Sequence, residues 1–396
     1  MTLRAERRAE FTLWLVAILA VAANLRPAIT SLPPLVDQIA AAYGLSAAAA
    51  GALTTLPVLC MGVFAPAAAP LSRRFGDTTV LAASVGVIGL GAAARAVETV
   101  PALYGGTVLA GIGIAVAGTL LPAVVRARMP DRIGPVTGQY TAVLIAGGFV
   151  GAATIEPLRE ALRLSPQGAL ALWAIPAIAA FLIWLAQART PGRPAPVTSA
   201  SFPWRSGAAW LGTLFLGMQS LLFYSALAWL AAAYIEDGMS TEGGGVLLGI
   251  FMATQVVTAL ALPALAHRTG GDVRPWIVLA VGLTTIGLFL VAVAPLTGTV
   301  APWIWAGLIG LGMGGTLSLT LVVVTRLAPE PGQAAAYTGM AFFGGYLLAA
   351  LGPVAAGSLR DLTGEFAPVF GTLAGLGVVT LAIGLRSATL AQRHGR

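Results

Sequence analysis

Long apolar runs and short polar breaks alternate along the whole chain. Most runs are close to ~20 residues long, the length that a helix needs to cross the hydrocarbon core of a bilayer. Charged residues, prolines and glycines mark the breaks. The pattern predicts twelve spanning helices near residues 11–34, 47–70, 79–97, 101–126, 136–156, 167–188, 208–235, 243–266, 275–295, 301–326, 335–358 and 366–386. We therefore expect an all-α membrane protein.

One polar interruption is longer than the others. Residues 188–207 read ARTPGRPAPVTSASFPWRSG, and this Pro-, Ser- and Thr-rich composition is typical of a linker. The linker divides the chain into two bundles of six predicted helices, residues 1–187 and 208–396. The division predicts two domains with a single connection.

The two halves repeat short motifs in the same order. LSRRFG at 71–76 corresponds to LAHRTG at 265–270, and GIG at 111–113 corresponds to GLG at 310–312. The offsets are nearly constant, which indicates duplication of a six-helix unit. Two parallel six-helix repeats related by an axis along the membrane normal are the plan of major facilitator transporters. We expect that fold, with two pseudo-symmetric bundles.

Composition agrees with a membrane protein, and the arginines indicate its orientation. The chain is 58% hydrophobic and 9% charged, too little charge to cover a soluble surface of this size. Its net charge of +7 would suggest nucleic acid in a soluble protein, but here the positions of the charges matter more.

Four arginines fall on one predicted face: Arg95, Arg159, Arg163 and Arg360. Seventeen fall on the other: Arg4, Arg7, Arg8, Arg73, Arg74, Arg126, Arg128, Arg132, Arg189, Arg193, Arg205, Arg268, Arg274, Arg326, Arg386, Arg393 and Arg396. The positive-inside rule places this second face, with both termini and the linker, in the cytoplasm.

Arg26 belongs to neither face. If the first span starts near Phe11, a rise of ~1.5 Å per residue puts Arg26 about 22 Å along the helix, past the middle of the hydrocarbon core. No acid is predicted at that depth, since Asp37 lies further out and Glu156 and Glu236 end their spans. An arginine inside the membrane faces protein or a cavity and needs a partner. The partner is either an anionic solute or the carbonyl groups that nearby prolines release.

Pro27 should bend the first span. Proline removes a backbone donor and clashes with the preceding turn, so a kink is expected near residues 23–27. Broken backbone at membrane depth is tolerated where it lines a cavity. Asn24 could add an amide to the same surface or make a hydrogen bond between helices.

Polar and aromatic residues in other spans are further candidates for the wall of a central cavity. Those in the seventh span should face the first span across the cavity by pseudo-symmetry. The alternative for each residue is a hydrogen bond between helices or an interfacial position. The candidates are Gln219, Ser220 and Tyr224 in the seventh span, Gln255 in the eighth, Tyr346 in the eleventh, and Gln139 with Tyr140 at the start of the fifth.

Four segments resemble the cyanate porter and 2-nitroimidazole transporter family (CynX/NimT) of the major facilitator superfamily. They are ANLRPAITSLPPL (23–35), LLPAVVRARMP (120–130), GMQSLLFYSALAWL (217–230) and GGYLLAALGP (344–353). The resemblance implies a central cavity, alternating access, a small anionic or polar solute, and a bacterial cytoplasmic membrane. Two departures concern the fourth span: LYGGTVLAGIG lacks the arginine of many superfamily members, and AGTLLP lacks an asparagine-like residue.

The basic turns after the second and eighth spans resemble the superfamily's signature loop. PLSRRFGD (70–77) is a partial copy of it. The resemblance implies that Arg73, Arg74 and Asp77, with Arg268 in the second half, latch the outward-facing state. Plain topogenic charge is the alternative interpretation.

No catalytic group, metal site or cofactor motif is predicted. The two histidines, His267 and His394, lie in a loop and in the tail.

An exporter of small drugs is one alternative function, although an exporter of cations should carry an acid deep in a helix. A membrane sensor is another, but it would need a larger soluble segment than the termini and linker offer. We expect a monomer whose partners are a small, anionic solute, the bilayer and, if transport is coupled, protons; nucleic acid is not expected.

Overall fold

The computed structural model describes residues 2–187, 202–330 and 333–394. Most of the predicted linker, residues 188–201, lies outside these ranges. Within them the chain is helical and contains no strand. Twelve helical spans in the described ranges are long and apolar enough to cross a membrane, which confirms the predicted number.

We number the spans α1–α12 in chain order. They are α1 Phe11–Tyr43, α2 Ala47–Phe75, α3 Asp77–Ala94, α4 Val100–Arg128, α5 Pro135–Ala161, α6 Pro166–Ala186, α7 Gly207–Glu236, α8 Thr241–Arg268, α9 Arg274–Val293, α10 Ala301–Leu327, α11 Ala334–Thr363 and α12 Ala367–Arg393. Four spans are made of shorter helices in series. These are Thr2–Asn24, Pro27–Thr30, Pro33–Leu35 and Val36–Tyr43 in α1; Ala47–Phe64, Ala65–Ala67 and Ala68–Phe75 in α2; Pro166–Ala171 and Ala174–Gln187 in α6; Ala334–Ala349 and Leu351–Thr363 in α11.

Side-chain caps set the point at which many spans begin. A hydroxyl accepts a hydrogen bond from a backbone N–H of the first turn, which would otherwise lack a partner. At the other end of α1 and α11, Gly44 (φ 63°) and Gly364 (φ 78°) take the left-handed conformation that favours glycine. The capping residues are Ser46, Thr99, Ser165, Ser206 and Ser240, at the starts of α2, α4, α6, α7 and α8.

The first span is longer than the sequence pattern predicts. It continues past residue 34 to Tyr43, because Pro33 and Pro34 are accommodated in a tight 3₁₀ turn and the helix resumes at Val36. Prolines fit the first positions of such a turn, where their missing N–H groups are not required. The consequence is an α1 that is broken twice near its middle yet still crosses the whole molecule.

The two ends of the bundle can be named from the chain. We call the side where α6 ends and α7 begins the linker side, and the opposite side the far side. Because successive spans run in opposite directions, the α1–α2 and α11–α12 connections lie on the far side.

On the far side, α2 of the first half packs tightly against α11 of the second. A Cβ atom at Gly51 would lie only 2.5 Å from the carbonyl oxygen of Pro353, so the two backbones touch there. Thr55 Oγ1 donates a hydrogen bond of 2.7 Å to the carbonyl of Ala350. These contacts join the two halves directly.

A carboxylate strengthens this junction at its outermost point. Asp361, near the end of α11, accepts hydrogen bonds from the backbone N–H groups of Ala47 (2.7 Å) and Ala48 (2.8 Å). These are among the free N–H groups at the start of α2, where the helix dipole favours a negative charge. The Gln38 amide of α1 also donates to the Thr241 hydroxyl of α8 at 3.3 Å. The far side is therefore closed by contacts between the halves.

Candidate functional site

A cavity of about 560 Å³ lies between the two halves. Spans α1, α2, α4, α5, α7 and α11 contribute to its wall, together with Phe202, which precedes α7. The wall includes Ala69 late in α2, Pro122 late in α4 and Ala335 at the start of α11, so the cavity extends toward the linker side. Its polar side chains are those of Arg26, Thr119, Tyr224 and Tyr346.

Arg26 lies at the first break of α1, within the predicted range. The helix ends at Asn24 and resumes at Pro27, and Arg26 precedes that new helix with φ −111° and ψ −40°. Its carbonyl accepts from the N–H groups of Ile29 (2.9 Å) and Thr30 (3.0 Å), which closes the next turn. Pro27 cannot donate to the preceding turn, so the backbone breaks at this position.

The Arg26 side chain is partly buried in the cavity wall. Among the described residues no carboxylate forms an ion pair with it. Its Nη1 atom is buried without a hydrogen-bond partner in the described part of the chain. The guanidinium carbon instead lies 5.5 Å from the centre of the Phe223 ring, in cation–π geometry. A buried donor with no acceptor is costly, so this site is suited to a ligand that accepts hydrogen bonds.

Two tyrosines stand beside this charge. The Tyr224 and Tyr346 hydroxyls are close enough to Arg26 to interact with it electrostatically. Their ring centres are 6.3 Å apart, and Tyr346 also packs against Phe342 at 5.5 Å. The Tyr224 hydroxyl donates to the sulfur of Met61 at 3.6 Å across the two halves. The arrangement offers one positive group and two hydroxyls within an aromatic wall.

Six other predicted site residues do not line this cavity. The amide of Asn24 donates to the carbonyls of Ala20 (2.8 Å) and Pro176 (3.2 Å), so it ties α1 to α6. Gln219 is buried and accepts from the neighbouring Ser220 hydroxyl at 3.2 Å. The bond from Asn24 in α1 to Pro176 in α6 favours the alternative interpretation of Asn24, a hydrogen bond between helices.

The remaining three are Gln255, Tyr140 and Gln139, which are also absent from the cavity wall. The Gln255 amide donates to the carbonyl of Phe251 in its own helix at 3.1 Å. Tyr140 is half-buried against the core, and Gln139 is exposed. The structure thus brings together Arg26, Tyr224 and Tyr346 of the predicted set.

The predicted latch residues lie at the linker side, as the sequence implies. Arg73, Arg74 and Arg268 are exposed, and the Arg74 guanidinium lies over the Phe75 ring at 5.2 Å. Asp77 is buried and accepts from the Ser72 hydroxyl within its own turn. The latch stays a prediction.

Several important positions are absent from the predicted set. Phe223 precedes Tyr224 in a recognised segment, and Phe342 and Phe343 stand one helical turn before Tyr346, so adjacency could have indicated all three. Met61 is an apolar residue in an apolar span, so nothing in the sequence indicates that it lines the cavity. Arg95 was counted only as a charge on the face opposite the linker, and the sequence did not indicate that its side chain is completely buried.

Within the described ranges no group of His, Cys, Asp and Glu residues could hold a metal ion. The side chains that line the cavity offer a positive charge, hydroxyl groups and aromatic surface to a ligand.

Comparison with known proteins identifies the family. A sequence profile described as Major Facilitator Superfamily matches residues 15–353. The chain is 36% identical to the 2-nitroimidazole transporter of Escherichia coli, covering 89% of this chain and 90% of the relative. It is 31% identical to the cyanate transport protein CynX of the same organism, covering 89% and 91%.

Solved structures support the same fold at low sequence identity. The nucleoside transporter NupG matches with a TM-score of 0.74 and 14% identity, covering 94% of this chain and 98% of that chain. A D-xylose-proton symporter matches with a TM-score of 0.71 and 15% identity, covering 96% and 97%. The profile, the full-length relatives and the twelve-span architecture agree, and the chain belongs to the Major Facilitator Superfamily of membrane transporters.

Proposed function

We propose that the protein carries a small anionic or strongly polar solute across the bacterial cytoplasmic membrane, with Arg26 as the main electrostatic contact. The observation that carries the proposal is the Arg26 guanidinium in the cavity wall, with a buried Nη1 that lacks a partner among the described residues. A solute with a lone pair or a negative charge would satisfy this donor. A planar anion can bind two N–H groups of a guanidinium at once.

The size and lining of the cavity favour a solute that contains a ring. A volume of about 560 Å³ falls among pockets that hold small organic molecules. Phe202, Phe342 and Phe343 line it with Tyr224 and Tyr346, and aromatic faces stack well on planar ligands. The names of the two relatives, a nitroimidazole transporter and a cyanate transport protein, support a planar, electron-rich or anionic solute.

The structure represents one of the two conformations that alternating access requires. The far side is closed by the α2–α11 contacts, and the cavity extends toward the linker side. The arginine distribution supports a linker side that faces the cytoplasm. The conformation then faces inward, and transport requires the far-side contacts to separate while the linker side closes.

A broad-specificity exporter of small drugs is the second candidate. Most of the cavity wall is apolar, which would accept varied aromatic compounds with little dependence on charge. The two candidates differ in one property: an anion carrier depends on Arg26, whereas a hydrophobic exporter does not.

Transport by the full-length protein in proteoliposomes tests the proposal. We would measure exchange of cyanate, 2-nitroimidazole, benzoate and the neutral analogue benzamide. We expect benzoate to be preferred over benzamide and Arg26→Ala to abolish that preference. Arg205→Ala, an exposed arginine away from the cavity wall, is the control and should behave as wild type. Equal transport of benzoate and benzamide, unchanged in Arg26→Ala, would contradict the anion site and favour the exporter.

A further inference from the structure

Arg95 is a fully buried cation that forms no ion pair with an acid in the described part of the chain. It follows the last residue of α3 on the far side, and its side chain is 0% exposed. A Cβ atom at Gly106 of α4 would lie 3.1 Å from its Cγ, so the side-chain stem runs closely over that helix. Nε and Nη2 are buried without hydrogen-bond partners in the described ranges. Burial of a charge in this way is costly, so a specific contact must justify it.

That contact is with the broken segment of α1. Arg95 Nη1 donates a hydrogen bond of 3.0 Å to the carbonyl of Ala28. In a continuous helix this carbonyl would accept from Leu32. Here Pro33 has no N–H to donate to Ile29, and the Leu32 N–H bonds to Ile29 instead at 3.4 Å. The break releases the Ala28 carbonyl, and Arg95 supplies its donor.

The turn that Arg95 contacts is the one that begins at Arg26. Ala28 lies in the short helix Pro27–Thr30, whose first turn closes on the Arg26 carbonyl. Any displacement of this turn therefore moves the Arg26 backbone and its guanidinium. We propose that Arg95 is a positioning residue, which holds this turn through Ala28 and so sets the place of Arg26 in the cavity. Its effect on solute binding rests on the proposed function, whereas its effect on the turn does not.

The first test needs no solute. Ile29 lines the cavity from the same turn, and Cys60 is the single native cysteine, so the background is Cys60→Ala with Ile29→Cys. The rate at which a methanethiosulfonate reagent labels residue 29 is measured with Arg95→Met, which keeps an unbranched stem, and with Arg163→Met. We expect Arg95→Met to change the rate about tenfold or more, as for loss of one hydrogen bond to a charged group.

Two comparisons separate positioning from a general packing role. Arg163 is an exposed arginine on the far side, so its replacement should leave the labelling rate unchanged. A lysine can still donate to a single carbonyl, so Arg95→Lys should restore the wild-type rate at least in part. An unchanged rate in Arg95→Met would overturn the proposal. A well-folded Arg95→Lys protein that labels like Arg95→Met would also overturn it.

The second test asks whether Arg95 acts through Arg26, with benzoate as the probe. We expect Arg95→Met to weaken benzoate binding about ten- to hundredfold in the wild-type background. In an Arg26→Lys background the same replacement should cost much less, because residues that act through one another are not additive. Equal losses in both backgrounds would contradict the proposal. If the wild type binds no benzoate, the proposed function is contradicted for this solute. The labelling rate of residue 29 still tests whether Arg95 positions the turn.

Discussion

Arg26 is partly buried and Arg95 is fully buried, and the two arginines have different environments. Arg95 donates to a carbonyl that the α1 break releases, which is the structural alternative considered for Arg26. Arg26 lies two residues before that carbonyl and contacts an aromatic ring, and its buried Nη1 has no hydrogen-bond partner among the residues that the structure describes. Arg95 donates to the carbonyl that the break releases, so the Arg26 guanidinium is not needed there and can donate to a ligand in the cavity. This division of roles is the strongest support for a solute contact at Arg26.

Replacement of Arg26 by lysine separates charge from geometry. Arg26→Lys keeps the positive charge but loses the planar pair of donors. We expect the dissociation constant for benzoate to rise about tenfold, the effect of losing one charge-assisted hydrogen bond. Isothermal titration measures this change. Cyanate is linear and should lose less affinity than benzoate; equal, unaltered affinities for both anions would refute paired donation.

At the residue scale, the position of a polar residue along its helix could be read from the sequence, but the direction in which its side chain points around the helix could not. Arg26 was recognisable because a charge in the middle of an apolar run needs a partner. Asn24 and Gln255 were also candidates, yet both amides donate to backbone carbonyls, since a polar side chain in a helix can be satisfied by the backbone as well as by a ligand. Arg95 was grouped with the arginines opposite the linker and lies on that side, but the positive-inside rule counts charges near a membrane surface and does not predict that its side chain is buried.

At the scale of elements, α1 and the α2–α11 pair determine the shape of the cavity. Prolines predicted the first break of α1, but the sequence did not reveal that the helix resumes at Val36 after the 3₁₀ turn. The α2–α11 junction was not predicted either. It depends on Gly51, one of 49 glycines, and on Asp361, a loop-proximal acid, and neither is distinctive without three-dimensional contacts.

Weakening the far-side junction should favour the outward-facing state. Asp361→Asn keeps the shape of the side chain but removes the negative charge at the start of α2. Asp361 is exposed, so we expect a cost of at most about 1 kcal/mol, or roughly a fivefold change in the ratio of the two states. A far-side thiol reagent should then label a cysteine at Tyr346 faster in a Cys60→Ala background. Glu365→Gln, an exposed acid nearby, is the control.

The linker-side residues should act in the opposite sense. If Arg74 and Arg268 latch the outward-facing state, Arg74→Ala and Arg268→Ala should slow far-side labelling of the same cysteine. Far-side labelling at the wild-type rate in both variants would refute the latch. Faster labelling in Asp361→Asn supports the junction independently of that outcome.

At the scale of the whole molecule, the hydropathy pattern predicted most of the architecture. The lengths of the apolar segments alone predict twelve spans, because a helix that crosses a bilayer needs a longer apolar segment than soluble proteins usually contain. The repeated motifs indicated a six-plus-six plan. The conformational state could not be predicted, because alternating access requires one sequence to support two arrangements of similar free energy.

Orientation in the membrane is a prediction of the arginine distribution. Single cysteines are placed in a Cys60→Ala protein at Arg205 on the linker side and at Leu362, an exposed residue on the far side. An impermeant thiol reagent added to intact cells should label residue 362 and not residue 205. The reverse pattern would invert the topology.

A thermal-stability measurement tests whether Arg26 binds the solute. The thermal stability of purified Arg26→Ala is measured with and without saturating benzoate, beside the wild type. Stabilisation by a ligand grows with its concentration relative to its dissociation constant. We predict that Arg26→Ala melts near the wild-type temperature without ligand and loses most of the benzoate-induced increase, equivalent to about 2–5 kcal/mol of binding free energy. A variant that is well folded and still gains the full wild-type increase would contradict the account.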